Sequence, residues 1–126
     1  KISRSHQWRQ ILQTKPQYLL QAGPMLVENE ASTKGLSSQN SRPRSFIATD
    51  GKNHWIMGHA SSCSLSQLGK SLVSLNIPDL KIVSAINLDG GRSSDLWVSA
   101  DVANGPLTIR PFWNKSVRNF LILKRK

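Results

Sequence analysis

Asn87-Leu88-Asp89-Gly90-Gly91-Arg92-Ser93-Ser94 gathers a carboxylate, a guanidinium and two hydroxyls around a pair of glycines. An apolar run, Ile82-Val83-Ser84-Ala85-Ile86, leads into it, and Leu96-Trp97-Val98 follows. That is the layout of a buried strand delivering a carboxylate to its end, followed by a loop of donors. Two glycines let the backbone turn sharply and approach a ligand closely. Arg92, Ser93 and Ser94 can each donate to an anion or a sugar hydroxyl. The plainer reading of Asp89-Gly90 is a turn in which the aspartate caps its own backbone.

Several elements must position this stretch. Arg44 to Gly58 reads as a hairpin: Phe46-Ile47-Ala48 and Trp55-Ile56-Met57 flank Asp50-Gly51-Lys52-Asn53, and Asp-Gly is a strong hairpin turn signal. Ser64 to Leu75 reads as a helix. Ser64 suits its N-cap, and Leu65, Leu68, Leu72, Val73 and Leu75 place an apolar stripe on one face. Residues 81–88 and 95–99 are expected as strands around the glycine turn. Leu107-Thr108-Ile109 and Val117 to Leu123 are further strand candidates. Trp8, Ile11 and Leu12 are spaced for a short helix ending before Pro16. Residues 28–43 lose all periodicity and read as a surface loop. Strands dominate, with hairpins and one clear helix, so the expected class is α+β (mixed α/β): a mixed, largely antiparallel sheet with one or two packing helices.

The chain has 126 residues, one domain or part of one, enough to bury a single core. Its formal net charge of +10 favours anionic partners such as acidic glycan, phosphorylated substrate or nucleic acid. No RNP pattern, zinc finger or basic helix accompanies that charge, which makes nucleic acid the weakest of these. Cys63 is the single cysteine, so no internal disulfide exists. His6, His54 and His59 lack metal-ligand spacing. No apolar run is long enough to span a bilayer. Residues 1–12 carry no apolar core of a signal peptide, and the chain opens on Lys1, as a trimmed or processed start would.

Five segments in order resemble the phosphodiester glycosidase family: Gln21-Ala22-Gly23-Pro24-Met25-Leu26-Val27, Arg44-Ser45-Phe46-Ile47-Ala48, Ser64-Leu65-Ser66-Gln67-Leu68, Asn87 to Ser94, and Val117-Arg118-Asn119-Phe120-Leu121. The resemblance covers about residues 20–123. The Asn-Leu-Asp-Gly-Gly block is fairly specific, and the others gain weight from their order. Two positions depart from the family pattern: Arg92 stands where a third glycine is usual, and Arg118 where a proline is usual. The family's amino-terminal part has no counterpart, so residues 1–126 are expected to be a single domain or the carboxy-terminal portion of one. The resemblance implies an extracytoplasmic hydrolase that splits a sugar from a phosphate, acting on a phosphorylated or acidic glycan.

Such a reaction needs donors for the phosphoryl oxygens and a carboxylate that stabilises an oxocarbenium-like state or activates water. Asp89 suits the carboxylate role. Arg44, Arg92 and Arg118 suit the phosphoryl role through their planar forks. Asn87 and Asn119 can fix sugar hydroxyls or orient Asp89. Gly90, Gly91, Ser93 and Ser94 can cradle an oxyanion. Gly23 is read chiefly as a backbone position, and Trp113 as the better candidate for stacking on a sugar. His59 follows Gly58 at a strand end, either as a surface histidine or as an acid or base. No cofactor is implied. A divalent cation at Asp89 would need more than this one acid. The rival functions are a non-catalytic module for acidic glycan or cell-wall polymer, and a basic nucleic-acid-binding domain.

Overall fold

The computed structural model describes residues 1–113, 116–117 and 120–124. A 3-10 turn at Ser5–Gln7 leads into helix α1 (Trp8–Gln13). Strands β1 (Met25–Glu28), β2 (Ala31–Ser32), β3 (Arg42–Thr49) and β4 (Trp55–Cys63) follow. Helix α2 (Leu65–Ser74) and strand β5 (Ser84–Gly90) complete the main body, and β6 (Leu96–Val98) pairs with β7 (Leu107–Ile109) as a separate two-stranded sheet. The five-stranded sheet has the order β2-β1-β5-β3-β4, and every pairing in it is antiparallel. The α+β expectation therefore holds, with an antiparallel sheet.

Asp50-Gly51 makes the β3–β4 turn. Asp50 Oδ1 accepts the amides of Lys52 at 2.9 Å and His54 at 3.1 Å. Helix α2 starts at a reciprocal cap: the Ser64 hydroxyl accepts the Gln67 amide at 3.2 Å, and Gln67 Oε1 accepts the Ser64 amide at 2.9 Å. Both features match the sequence reading. Two segments differ from it. Residues 28–43 hold the two-residue strand β2 and the start of β3. No strand is found among the described residues of Val117 to Leu123.

The core lies between α2 and one face of the sheet. Leu68 and Leu72 of the helix pack with Leu26, Val27, Phe46, Ala48, Ile82 and Ala85. Along β3 the buried residues alternate, Arg44, Phe46 and Ala48, as a strand covered on one face requires. The amino-terminal segment crosses the opposite, outer face, where it encloses a hollow of about 460 Å³ with Ile47, Ile86 and Leu88. Arg4 ties this segment to the sheet through Glu28, with Nε to Oε1 at 3.0 Å. That bond holds the Glu28 carboxyl below its usual range.

A candidate phosphodiester site at the end of the central strands

β5 enters the glycine turn beside the start of β3. Arg44 pairs with Gly90, Ser45 with Asp89, and Phe46 with Asn87. Leu88 is the extra residue between the last two pairs, a β-bulge. Cross-strand partners project from the same face. Asn87, with Phe46, therefore faces α2, whereas Asp89, with Ser45, faces outward. Without the bulge, Asn87 and Asp89 would share a face. A second irregularity, on the β4 side, accommodates Pro43 in a central strand.

Arg44 is the one buried charged side chain among the described residues, 8% exposed. Its Nε donates to the Cys63 carbonyl at 3.4 Å and its Nη2 to the Asn40 carbonyl at 3.2 Å. No carboxylate of the described residues pairs with it. Nη1 lies against Gly90, where a Cβ would stand only 2.8 Å away. Burial pushes the neighbouring Cys63 thiol up, and Arg44 partly offsets that shift.

The turn itself is tightly held. The Gly91 amide donates to the Pro43 carbonyl at 2.8 Å, and Gly91 has φ +81°, a conformation that favours glycine. Ser94 is fully buried, its amide donating to the Gly91 carbonyl at 3.2 Å and its hydroxyl 3.5 Å from the Pro43 carbonyl. The Gly90 amide donates to Asp89 Oδ1 at 2.6 Å. The two glycine amides are thus committed to Pro43 and Asp89, and the glycines serve geometry and close approach. Asn87 is buried and anchored to the β1 approach: its amide donates to the Pro24 carbonyl at 3.0 Å and its Nδ2 to the Gly23 carbonyl at 3.2 Å. Its Oδ1 is buried without a hydrogen-bond partner among the described residues.

The fold thus gathers Arg44, Gly90, Gly91 and Ser94, and links Asn87 to Gly23. Asp89 stands at the same strand end, exposed, on the outer face. Arg92 is exposed and Ser93 half-buried on the turn. Trp113 is exposed and meets Phe112 edge to face, with ring centroids 5.0 Å apart. Asn119 and Arg118 lie outside the described residues. Sequence reasoning gave Ser45 no role of its own, although register places it beside Asp89; only the pairing of strands reveals that.

A family model, phosphodiester glycosidase, matches residues 2–124. The chain belongs to the phosphodiester glycosidase family. No curated protein matches it in sequence. Membership gives the chain the reaction class of a hydrolase of phosphodiester glycosides at the level of the family. Among the described residues no group of three or more His, Cys, Asp or Glu side chains is placed to hold a metal ion, and no helix is long and apolar enough to cross a membrane.

Proposed function

We propose that this chain cleaves the bond between a sugar and the phosphate of a glycosyl phosphodiester. The observation that carries the site is Arg44, a buried cation without a carboxylate partner among the described residues, one nitrogen of which lies under Gly90. Burying a charge without a counter-charge is costly. A phosphoryl oxygen arriving at the turn would supply one, in a charge-assisted hydrogen bond from Nη1, the nitrogen that Cys63 and Asn40 leave uncommitted. Arg92 and Ser93 add donors on the solvent side of the same turn.

The chemistry asks little of a proton donor. A phosphate monoester is a far better leaving group than a sugar alkoxide. The bond from the anomeric carbon to the bridging oxygen breaks, and its electron pair leaves on the phosphate. Water adds its hydroxyl to that carbon and gives its proton to Asp89, whose negative charge also favours the oxocarbenium-like transition state. Asn87 sets the strand end by holding Gly23 and Pro24, and its open Oδ1 can accept from a ligand hydroxyl. An extracytoplasmic location, acting on cell-wall or capsular glycan, belongs to the same proposal.

The test is hydrolysis of a chromogenic glycosyl phosphodiester by the full chain. Asp89→Asn is expected to lose about a hundredfold or more in kcat, the scale of removing an acid–base group. Arg44→Ala is expected to lose affinity for inorganic phosphate as a competitor. Full activity of Asp89→Asn would sink the mechanism.

One observation favours a second reading. Asp89 projects from the face opposite Arg44 and Asn87, so a ligand touching all three must wrap around the end of β5. A glycan-binding module without catalysis needs no such wrap. Saturable binding of an acidic glycan with no turnover would favour it.

A further inference from the structure

The proposed reaction uses Asp89 but not the residues beside it. Ser45 of β3 pairs with Asp89 of β5 on one side and with His59 of β4 on the other. These three side chains therefore form one polar row on the outer face of the sheet. Neighbouring strands lie about 4.8 Å apart, so the row runs for about 10 Å. His59 Nε2 is buried and lacks a hydrogen-bond partner among the described residues, a state that costs free energy until a partner arrives. The next register position along the same face holds Met57, Ile47 and Ile86. Ile47, Ile86 and Leu88 line the hollow of about 460 Å³, a size suited to a small ligand.

We propose that Ser45 and His59 form the sugar subsite that begins at Asp89. The inference rests on the reading of Asp89 given above. With the anomeric carbon at Asp89, the rest of a pyranose ring extends along the row toward β4. The Ser45 hydroxyl and the open nitrogen of His59 can each donate to or accept from its hydroxyls. The apolar side chains of the adjoining hollow meet its C–H faces. The row carries a carboxylate at one end and no arginine or lysine. It therefore suits the neutral sugar, while Arg44 on the other face suits the phosphate. His59 then selects among sugars by the hydroxyls it satisfies, since an unmatched buried polar group is what rejects the wrong one.

The experiment is a titration of the full chain, followed by NMR of the histidine rings. The probes are the methyl glycosides of glucose, galactose, mannose and N-acetylglucosamine, with methyl phosphate as the separate anionic probe. His6 and His54 are internal controls. At least one glycoside is expected to shift the His59 ring and leave the other two unmoved. His59→Phe is expected to weaken that glycoside by about tenfold or more, the scale of one lost hydrogen bond to a buried group. Methyl phosphate affinity is expected to stay unchanged. Ser45→Ala, a smaller change, is expected to weaken the glycoside without altering thermal unfolding. The proposal is overturned if no glycoside moves the His59 ring, if all three rings move alike, or if folded His59→Phe and Ser45→Ala both bind as the wild type does. Full activity of Asp89→Asn would sink the hydrolysis reading alone and leave the ring titration to decide the subsite.

Discussion

Gly90 and Arg44 face each other across β5 and β3, and a Cβ on Gly90 would stand 2.8 Å from Nη1 of Arg44. The glycine thus leaves room for a buried guanidinium to lie directly beneath the strand end. It is a steric relationship between the most specific block of the sequence and an arginine far from it in the chain. The buried cation and the bare backbone above it are two halves of one feature.

Gly90→Ala is the direct probe of that feature. The contact is with the far end of a flexible side chain, so the fold can yield by moving the guanidinium. Stability is expected to change by less than about 1 kcal/mol, as for substitutions outside the packed core. Affinity for inorganic phosphate is expected to fall, by an amount close to that of Arg44→Ala. Calorimetric titration of phosphate into both variants checks this, and an unchanged affinity in Gly90→Ala would separate Arg44 from the anion.

Much of this arrangement was legible in the sequence, because it is written in local chemistry. Asp50-Gly51 specifies its turn, Ser64 as an N-cap specifies a helix start, and two glycines after an apolar run specify a strand end. What was not legible is register. One extra residue, Leu88, reverses the side to which Asp89 points, and a bulge of that kind leaves no mark in hydrophobic alternation. Asn87 reads in the sequence as a residue that could orient Asp89; the two stand on opposite faces. The same blindness hid the alignment of Ser45 and His59 with Asp89, which depends on two pairings at once. Residues 28–43 read as loop because β2 spans only two residues, too short for any period to show.

Gly58→Ala tests the packing on the α2 face. A Cβ at Gly58 would run into the ring of Phe46, its partner across β3 and β4. Phe46 is part of the core, so the ring cannot swing into solvent to make room. The variant is expected to lose about 1 to 3 kcal/mol, the usual cost of overpacking a core. Urea unfolding measures it, and a stability equal to the wild type would show that the ring has space to move.

Ser64→Ala tests the start of α2. The alanine removes the acceptor for the Gln67 amide and breaks the reciprocal bond pair. Ser64 is fully buried, so water cannot replace what is lost. A loss of about 1 to 2 kcal/mol is expected, the upper part of the range for N-cap removal. Ser64→Asp, which restores an acceptor at the cap, is expected to recover less than it would at an exposed cap, because the new charge is buried.

Asp50 gives the fold a defined response to acid. Its Oδ2 lies 2.7 Å from His54 Nδ1, and its Oδ1 accepts the Lys52 and His54 amides. The bond with the His54 ring, then that with the Lys52 amide, hold the carboxyl down at about 2. An unfolded aspartate titrates near about 3.9. A depressed folded pKa means that the contribution is fully present above the unfolded value. It is lost as pH falls from about 4 through about 2, because the unfolded chain takes up the proton first. Asp50→Asn removes the charge and with it the dependence. In urea unfolding at pH 6, 4, 3 and 2, the variant is expected to be less stable at pH 6, with the gap closing as pH falls through that window. A gap of constant size across the series would mean that the turn is held by the shape of the side chain and its amide bonds, with the charge and the His54 ring contributing nothing.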